Sequence, residues 1–336
     1  MKRVLVSMPD DPTRESFLDP RVREYLSGHF DVTYNPTSRQ YTPGQLKELL
    51  PDFDAVVTGW GTPLLDAEVL GEHPRLSVIA HTGGTVGNLV DSYAYEKGIR
   101  VLSGNLLYAE SVAEGTLAYM LMAQRRLPDY VNTVREGGWG LPGGDVWESV
   151  MDKTVGIVGL GTISRFLIPM LHSLRCDIRL YSHYDPEPEF LRANGVTRME
   201  LNDLFAACDI ISVHSALNAE NRHLIGKEQF DRIRDGALFL NTSRGAVLDE
   251  EALITALATG RFRAVLDVFT REPLPADSPL RRMPNVYSIS HKAGPTLDRR
   301  AYIARHVAEN MYRALQGETD LPLEIPADVA KRMTRM

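Results

Sequence analysis

Short runs of β-branched and other apolar residues alternate with segments of helical spacing along almost the whole chain. In the first part the runs include RVLVSM and FDAVVTG, and in the second part they include KTVGIVGL and DIISVHS. Segments such as TPGQLKELL and DEEALITALATG have apolar residues at helical spacing and lie between such runs. This rhythm is typical of βαβ units and predicts an α/β fold with parallel sheets. A chain of 336 residues is too long for one ordinary core, so we expect two domains.

The composition of the chain narrows the partners that we expect. The formal net charge is −7 and no basic run occurs, so a general nucleic-acid binder is not expected. The N-terminal segment MKRVLVSMPDD turns polar too early for a signal peptide, and no apolar run approaches membrane-spanning length. Two cysteines, Cys176 and Cys208, make no disulfide framework, and the histidines lack metal-site spacing. We therefore expect a cytoplasmic protein with no metal, no membrane partner and no nucleic-acid partner.

The stretch VGIVGLGTISRFL has the form of a dinucleotide-binding turn. Gly159 and Gly161 follow a strand-like run and precede a helical pattern, which is the context that a G-x-G turn needs. Gly159 permits the tight turn, and Gly161 lets the backbone approach a pyrophosphate. The amides of Thr162 and Ile163 then point at that anion from a helix N-terminus. Ser164 stands where a third glycine is usual, and any tight strand-to-helix turn favours glycine, so this motif alone does not decide the function.

Four further segments, in this order along the chain, resemble the D-isomer-specific 2-hydroxyacid dehydrogenases. They are SVAEGTLAYMLM, HSALNAENRHLIG, LFLNTSRGAVLDEEAL and LDVFTREPLPADSPLRRMPNVYSISHKAG. Their TSRG…DVF…EPLP…H series is far more specific than the glycine turn. The resemblance implies an NAD(P)-dependent oxidoreductase that acts on the CH–OH group of 2-hydroxy acids.

The resemblance also implies an arrangement of domains. That family has two Rossmann-like domains with doubly wound parallel sheets, an active-site cleft between the domains, and a substrate domain built from both chain ends. We therefore expect residues 1–104 plus 296–336 to form a flavodoxin-like substrate-binding domain. Residues 105–295 are expected to form the dinucleotide-binding Rossmann domain.

The catalytic trio of that family maps onto Arg244, Glu272 and His291. Reduction of a 2-oxo acid needs a proton donor at the carbonyl, and histidine titrates in the right range, so His291 is the expected general acid/base. Glu272 would favour the charged imidazolium, and the guanidinium of Arg244 matches a substrate carboxylate with two hydrogen bonds. Each residue type is common in structural roles, but the three together at these offsets point to catalysis.

Further residues are assigned by the same resemblance. Asp267 corresponds to the family residue that bonds the nicotinamide amide. Thr242 and His214 occupy strand ends that face the cofactor crevice. In the segment HTGGTVGN, Gly84 and Thr85 are the best matches to a glycine loop whose amides hold the substrate carboxylate.

The choice between NAD and NADP depends on Ser182, which stands where an acid that holds the adenosine ribose is usual. Serine still bonds the ribose but does not repel a 2′-phosphate, so the usual barrier against NADP is missing. The next residues, His183, Tyr184 and Asp185, include no arginine. We expect NAD or NADP as the cofactor, with weak discrimination and NAD slightly favoured.

Other functions of the same fold stay open as alternatives. Formate dehydrogenases have glutamine at the position of Glu272, which argues against formate. A phosphite dehydrogenase and a nucleotide-sensing, corepressor-like binding protein stay open. For a dehydrogenase, the small-molecule partner is a 2-oxo or 2-hydroxy acid, and glyoxylate, hydroxypyruvate, pyruvate and bulkier 2-oxo acids are all possible.

The resemblance also predicts the oligomeric state. Members of that family usually dimerise through the nucleotide domain, and the loop GGWGLPGGDVWESV lies where their dimer arm does. Trp139 and Trp147 in this glycine-rich loop fit a covered surface better than an exposed one. We therefore expect a homodimer.

Overall fold

The structure, a computed structural model, describes residues 1–72, 75–141, 144 and 147–333. The chain divides into two compact units. The first consists of Met1–Ser111 and Pro295–Met336, and the second of Val112–Gly294. The middle of the predicted loop GGWGLPGGDVWESV, at positions 142, 143, 145 and 146, lies outside the described residues.

The described residues form twelve strands, fourteen α-helices and three short 3₁₀-helices. The strands are β1 (Lys2–Val6), β2 (Phe30–Tyr34), β3 (Ala55–Thr58), β4 (Val78–His81), β5 (Arg100–Ser103), β6 (Thr154–Val158), β7 (Asp177–Tyr181), β8 (Val196–Arg198), β9 (Ile210–Val213), β10 (Leu238–Asn241), β11 (Arg263–Leu266) and β12 (Val286–Ser288). The α-helices are α1 (Pro12–Phe17), α2 (Pro20–His29), α3 (Pro43–Leu49), α4 (Ala67–Leu70), α5 (Ser92–Glu96), α6 (Asn105–Gln124), α7 (Leu127–Arg135), α8 (Thr162–His172), α9 (Pro188–Ala193), α10 (Leu201–Ala207), α11 (Lys227–Arg232), α12 (Glu250–Leu257), α13 (Leu297–Leu315) and α14 (Ala327–Arg332). The 3₁₀-helices are Leu50–Asp52, Gly245–Val247 and Pro279–Arg281.

The first unit contains a wholly parallel sheet in the order β2-β1-β3-β4-β5. This 2-1-3-4-5 order is that of flavodoxin-like doubly wound folds. Val4 and Val6 belong to the apolar cluster on one face of the sheet, and Leu5 belongs to the cluster on the other. Both faces are therefore covered, as parallel sheets require.

The second unit contains a parallel sheet in the order β12-β11-β10-β9-β6-β7-β8. Counted from β6, this is the Rossmann order 3-2-1-4-5-6 with one further strand beyond the last. The order reverses between β6 and β9, and in such folds the ligand crevice opens at that point, beyond the carboxyl ends of the strands. The predicted fold class, α/β with two doubly wound parallel sheets, is confirmed.

Two helix starts show how local sequence sets these elements. Thr42 precedes α3, and its hydroxyl accepts from the amide of Gln45 at 3.3 Å while the Gln45 side chain accepts from the amide of Thr42 at 2.9 Å. This reciprocal capping box satisfies two amides that the helix leaves without partners. Asp249 caps α12 by accepting from the amide of Ala252 at 3.1 Å. α12 therefore begins one residue after the TSRGAVL segment.

Three observations concern membranes, metals and thiols. Across the described ranges, no helix combines the length and the apolar character that a membrane span needs. The same residues contain no group of three His, Cys, Asp or Glu side chains placed to hold a metal ion. Cys176 and Cys208 are both buried free thiols.

Candidate active site

The turn between β6 and α8 needs glycine at one position because another backbone segment lies against it. Gly159 has a φ of +100°, and its amide donates to the carbonyl oxygen of Tyr181 at 2.8 Å. A Cβ at this position would lie 2.9 Å from the backbone nitrogen of Ser215. A Cβ at Gly161 would instead meet no atom within 4 Å. The turn is therefore packed closely against the segment after β9 at Gly159, whereas at Gly161, just before α8, there is free space.

Ser164 occupies the position of the third glycine without disturbing this turn. Its side chain is fully buried, and its hydroxyl donates to the carbonyl oxygen of Gly159 at 2.6 Å. The small side chain thus packs between helix and strand and bonds back onto the turn. This departure from the glycine pattern is compatible with a dinucleotide-binding turn.

The N-terminus of α8 has the features of an anion site. Its N-cap is Gly161, and no side chain caps the helix. The amides of Thr162 and Ile163 are among the first four of the helix, which have no intrahelical partner, and the positive end of the helix dipole lies there. Amides of this kind beside open space fit the pyrophosphate of a dinucleotide.

The loop after β7 carries the residues expected near the adenosine ribose. Ser182 directly follows β7 and is 7% exposed. Nε2 of His183 lies 3.4 Å from a carboxylate oxygen of Glu220. Asp185 accepts a hydrogen bond from the guanidinium of Arg198, the last residue of β8. The loop therefore has an arginine beside it, although that arginine does not follow Ser182 in the sequence.

His214 and Thr242 lie at the ends of neighbouring strands and are both nearly buried. Nε2 of His214 lies 2.8 Å from the hydroxyl oxygen of Ser212. Burial lowers the pKa of His214 to about 4, so the ring is neutral at pH 7. Its Nδ1 is buried and has no hydrogen-bond partner among the described residues. Thr242 places its hydroxyl 3.1 Å from that of Thr116 in α6.

Asn241, the last residue of β10, holds the turn that carries Arg244. Its side-chain oxygen accepts from the amide of Ser243 at 3.0 Å and from the hydroxyl of Ser243 at 2.8 Å. Its side-chain nitrogen donates to the carbonyl oxygen of Arg244 at 3.0 Å. Asn241 was not among the predicted site residues, although asparagine at the end of an apolar strand is typical of a side chain that closes a turn.

The guanidinium of Arg244 is only partly satisfied by the protein. One terminal nitrogen donates to the carbonyl oxygen of Ser243 at 2.7 Å, whereas Nε is buried and has no partner in the described part of the chain. Burial lowers the pKa of Arg244, and the negative charge of Glu272 opposes that shift. The side chain therefore presents an unsatisfied, charged donor close to Glu272.

Glu272 connects the loop after β11 to His291. One carboxylate oxygen accepts from the amide of Phe269 at 3.0 Å, and the other lies 2.8 Å from Nδ1 of His291. A carboxylate only accepts, so Nδ1 carries the hydrogen and Nε2 is left for another partner. The side chain of His291 is 50% exposed, so the ring is open to a small molecule.

Asp267 fixes the backbone that carries His291. Its fully buried carboxylate accepts from the amides of Lys292 at 2.7 Å and Ala293 at 3.0 Å, and from the hydroxyl of Tyr119 at 3.1 Å. Its carbonyl oxygen accepts from the amide of His291 at 2.9 Å. Burial, followed by the charge of Asp267, raises the pKa of Tyr119. Tyr119, like Asn241, was not among the predicted site residues.

A family model described as the NAD binding domain of the D-isomer specific 2-hydroxyacid dehydrogenases matches residues 117–293. This range contains the glycine turn, Ser182, His214 and Thr242, together with Arg244, Asp267, Glu272 and His291. The chain belongs to the D-isomer specific 2-hydroxyacid dehydrogenase family. The predicted family is confirmed. The protein is accordingly an NAD(P)-dependent oxidoreductase, and its cofactor is a nicotinamide dinucleotide.

Individual relatives of this dehydrogenase agree with the family model. The chain is 31% identical over 310 residues to glyoxylate/hydroxypyruvate reductase B of Pectobacterium atrosepticum. This alignment covers 89% of this chain and 93% of that protein. It is 34% identical over 301 residues to glyoxylate reductase of Korarchaeum cryptofilum. That alignment covers 87% of this chain and 89% of the relative. A solved phosphoglycerate oxidoreductase from Rhizobium etli matches with a TM-score of 0.78 and 26% identity, over 97% of this chain and 99% of that chain.

In the first unit of the dehydrogenase, the loop after β4 contains Gly84 and Thr85. The hydroxyl of Ser103 donates to the carbonyl oxygen of Gly83 at 3.0 Å, and the carbonyl oxygen of Gly84 is a second acceptor. The hydroxyl oxygen of Thr85 accepts from the amide of Gly87 at 3.2 Å. These bonds fix the conformation of the loop within its own unit.

The predicted site residues thus fall into two groups. In the second unit, Glu272 and His291 are in direct contact, and Arg244 is close enough to Glu272 for the carboxylate charge to act on it. The predicted cofactor residues are found at the glycine turn and at the carboxyl ends of the strands of the same sheet. Gly84 and Thr85 belong to the first unit.

Proposed function

We propose that this dehydrogenase reduces 2-oxo acids to D-2-hydroxy acids, and catalyses the reverse reaction, with His291 as the general acid/base. The observation that carries the proposal is the 2.8 Å contact between Glu272 and Nδ1 of His291, beside the buried guanidinium of Arg244. An acid/base group next to a cation that binds carboxylates is what reduction of a 2-oxo acid requires.

Arg244 is the proposed binding group for the substrate carboxylate. Its Nε is buried without a partner among the described residues, and a substrate carboxylate would satisfy it. A guanidinium can bond both oxygens of a carboxylate and also polarise the neighbouring carbonyl. Asn241 is proposed as a positioning residue, because its side chain holds the backbone carbonyl of Arg244.

His291 is the proposed proton donor and acceptor. The dinucleotide, when bound, supplies or accepts the hydride. Nε2 of His291 donates a proton to the carbonyl oxygen of the 2-oxo acid and takes it back in the reverse direction. Glu272 stabilises the charged imidazolium, and the amide of Phe269 holds Glu272 in place.

The cofactor site is proposed to accept both NAD and NADP, with NAD slightly favoured. The Ser182 hydroxyl can bond the adenosine ribose without repelling a 2′-phosphate, whereas the nearby Asp185 disfavours that phosphate. The proposed cofactor-binding residues are Gly159, Gly161, Thr162, Ile163, Ser182, His214, Thr242 and Asp267.

The substrate is proposed to be a small 2-oxo acid, with glyoxylate and hydroxypyruvate as the first candidates because relatives carry those names. The amides of Gly84 and Thr85 are proposed to bind the substrate carboxylate as well. In this proposal residues 1–104 with 296–336 form the substrate-binding domain, and residues 105–295 form the dinucleotide-binding domain.

A homodimer is proposed because apolar side chains of α7 are exposed to solvent. Leu127, Val131 and Val134 are 50%, 46% and 53% exposed, and none of the residues of this helix is buried. Trp139 and Trp147, just beyond it, are 90% and 59% exposed. Leu127, Val131 and Val134 recur at helical spacing on one face of α7, and exposed apolar faces of this kind often mark protein–protein contacts. A second copy of the protein is the proposed cover.

The experiment that tests the function is a substrate panel. Glyoxylate, hydroxypyruvate, pyruvate, one branched and one aromatic 2-oxo acid are each mixed with NADH or NADPH, and absorbance of the reduced nicotinamide is followed. At least one acid should be reduced, and the product should be the D-isomer where the product is chiral. A parallel assay mixes phosphite with NAD+ or NADP+, and reduction of the nicotinamide there, with no acid reduced in the panel, would support a phosphite dehydrogenase instead. Nucleotide binding without any turnover would support the corepressor-like alternative.

A further inference from the structure

Arg198 reaches the loop that follows Ser182 because of how two strands pair. β7 and β8 are parallel neighbours, and Leu180 is paired in register with Arg198. Arg198 therefore lies at the end of β8, beside the end of β7 at Tyr181, and its side chain extends from there. It donates to the carboxylate of Asp185, three residues after Ser182. A cation thus lies at the expected ribose end of the cofactor site.

Two other basic side chains of this region, those of Arg165 and His183, have acidic partners of their own. Arg165 donates to Glu187 at 2.7 Å and also lies over the ring of Phe190, with its guanidinium carbon 4.5 Å from the ring centroid. His183 is 3.4 Å from Glu220. Among the described residues, no aromatic ring lies under the guanidinium of Arg198, and in this it differs from Arg165.

The pair between Arg198 and Asp185 is open to solvent on both sides. The side chain of Arg198 is 44% exposed, and that of Asp185 is 88% exposed. Exposed ion pairs stabilise a fold very little, because water screens the charges and the long side chains lose freedom. Replacing the Asp185 carboxylate by a different anion therefore costs the fold almost nothing.

We propose that Arg198 is the group that binds the 2′-phosphate of NADP and that Asp185 is a tethered competitor for the same guanidinium. This proposal rests on the proposed function, since it requires that the second unit binds the dinucleotide with Ser182 at the ribose. A phosphate monoester carries a charge near −2 above pH 7 and offers three acceptor oxygens, so it displaces a single carboxylate from a guanidinium. Asp185 must be displaced for NADP but not for NAD, which gives weak discrimination.

Binding of adenosine 2′,5′-bisphosphate and 5′-AMP, followed by titration calorimetry at pH 8, tests the role of Arg198 without turnover. These two nucleotides differ only in the 2′-phosphate. The Arg198→Gln variant should bind the bisphosphate about tenfold more weakly, equal to ~1.4 kcal/mol, and should bind 5′-AMP within about twofold of the wild type.

The matched control is Arg175→Gln. Arg175 also pairs with an exposed aspartate, Asp152, at 2.8 Å, but it precedes β7 at the amino end of that strand. This variant should leave the affinity for both nucleotides unchanged. If Arg198→Gln and Arg175→Gln have the same effect, the assignment of Arg198 is wrong.

The competitor role of Asp185 is tested by a double-mutant cycle. Asp185→Asn should tighten binding of the bisphosphate about fivefold, and this gain should disappear when Arg198→Gln is also present. An equal gain in both backgrounds would mean that Asp185 does not act through Arg198, and would overturn the proposal.

If the wild type binds neither nucleotide, the dinucleotide site of the proposed function fails as well. If 5′-AMP binds normally and Arg198→Gln leaves the bisphosphate unaffected, only the present proposal fails.

Discussion

A Cβ atom added to Gly245 would lie 1.9 Å from the carbonyl carbon of Phe269. The turn after β10 and the loop after β11 therefore touch through their backbones, with no flexible side chain between them. Arg244 precedes this contact, and the amide of Phe269 bonds to Glu272. The close approach of these two residues thus sets the distance between the proposed carboxylate-binding cation and the acid/base pair.

We expect Gly245→Ala to separate these two segments. The clash is with backbone, so overpacking should lower the free energy of unfolding by about 1–3 kcal/mol. Displacement of Arg244 by about 1 Å should also lower kcat/KM by on the order of 100-fold. Chemical denaturation and steady-state kinetics on the best acid of the panel measure both effects. Gly44→Ala, where a Cβ meets no atom within 4 Å, is the control and should lower neither value.

Removal of the proton donor should separate catalysis from cofactor binding. His291→Ala should lower kcat by about 10²–10⁴-fold, because general acid catalysis is lost while the glycine turn is untouched. Quenching of protein fluorescence by NADH should give a Kd close to that of the wild type. Near-normal turnover of this variant at any pH between 5 and 9 would contradict the proposed role of His291.

Glu272→Gln tests the partner of that histidine. The amide of Phe269 donates to one carboxylate oxygen, so the glutamine oxygen should take that place and its NH₂ group should face Nδ1 of His291. That arrangement forces Nδ1 to accept and no longer favours the charged imidazolium. We expect reduction to slow, and its decline with rising pH to begin at a lower pH than in the wild type. An unchanged pH–rate profile would show that Glu272 does not act through His291.

Local patterns explain why the fold and the family could be predicted from the sequence. The alternation of apolar runs and helical spacing is visible within short segments, and it predicted the α/β class that the two sheets confirm. The TSRG…EPLP…H series predicted the family, because its members follow one another in fixed order. The capping pair of Thr42 and Gln45 is likewise a short-range signal.

Contacts that depend on strand order could not be predicted in this way. Arg198 is 13 positions from Asp185, and the pair forms only because β8 lies beside β7 in a particular register. Tyr119 bonds to Asp267 across 148 positions, from a helix that precedes the nucleotide-binding sheet. Neither pair has a local sequence signal, since each requires the position of one element relative to another.

The apolar face of α7 predicts a clear test of the dimer. Val131 is 46% exposed, so Val131→Asp should leave the fold of one chain intact while placing a charge in the proposed interface. Light scattering at micromolar concentration should give the mass of two chains for the wild type and of one chain for this variant. Asn132→Asp adds the same charge at the next exposed position and is the control. A wild-type mass of one chain would refute the dimer.

Two buried histidines should make the protein less stable in mild acid. Burial lowers the pKa of His81 and of His214 to about 4, well below the value of 6.5 for a free histidine. The unfolded chain therefore binds protons that the folded chain does not, and stability is lost as pH falls from 6.5 towards 4. Each histidine should remove about 2 kcal/mol from the free energy of unfolding between pH 7 and pH 5.

His81→Asn should remove one of these two contributions. Asparagine can keep the bond that Nδ1 of His81 makes to the hydroxyl of Thr58, at 2.9 Å, but it does not titrate. Urea denaturation at pH 7 and pH 5 should show that the variant loses about 2 kcal/mol less than the wild type on acidification. His29→Asn replaces an exposed histidine and should keep the wild-type difference. If His81→Asn shows the same loss as the wild type, then His81 is not held neutral by burial in the folded protein.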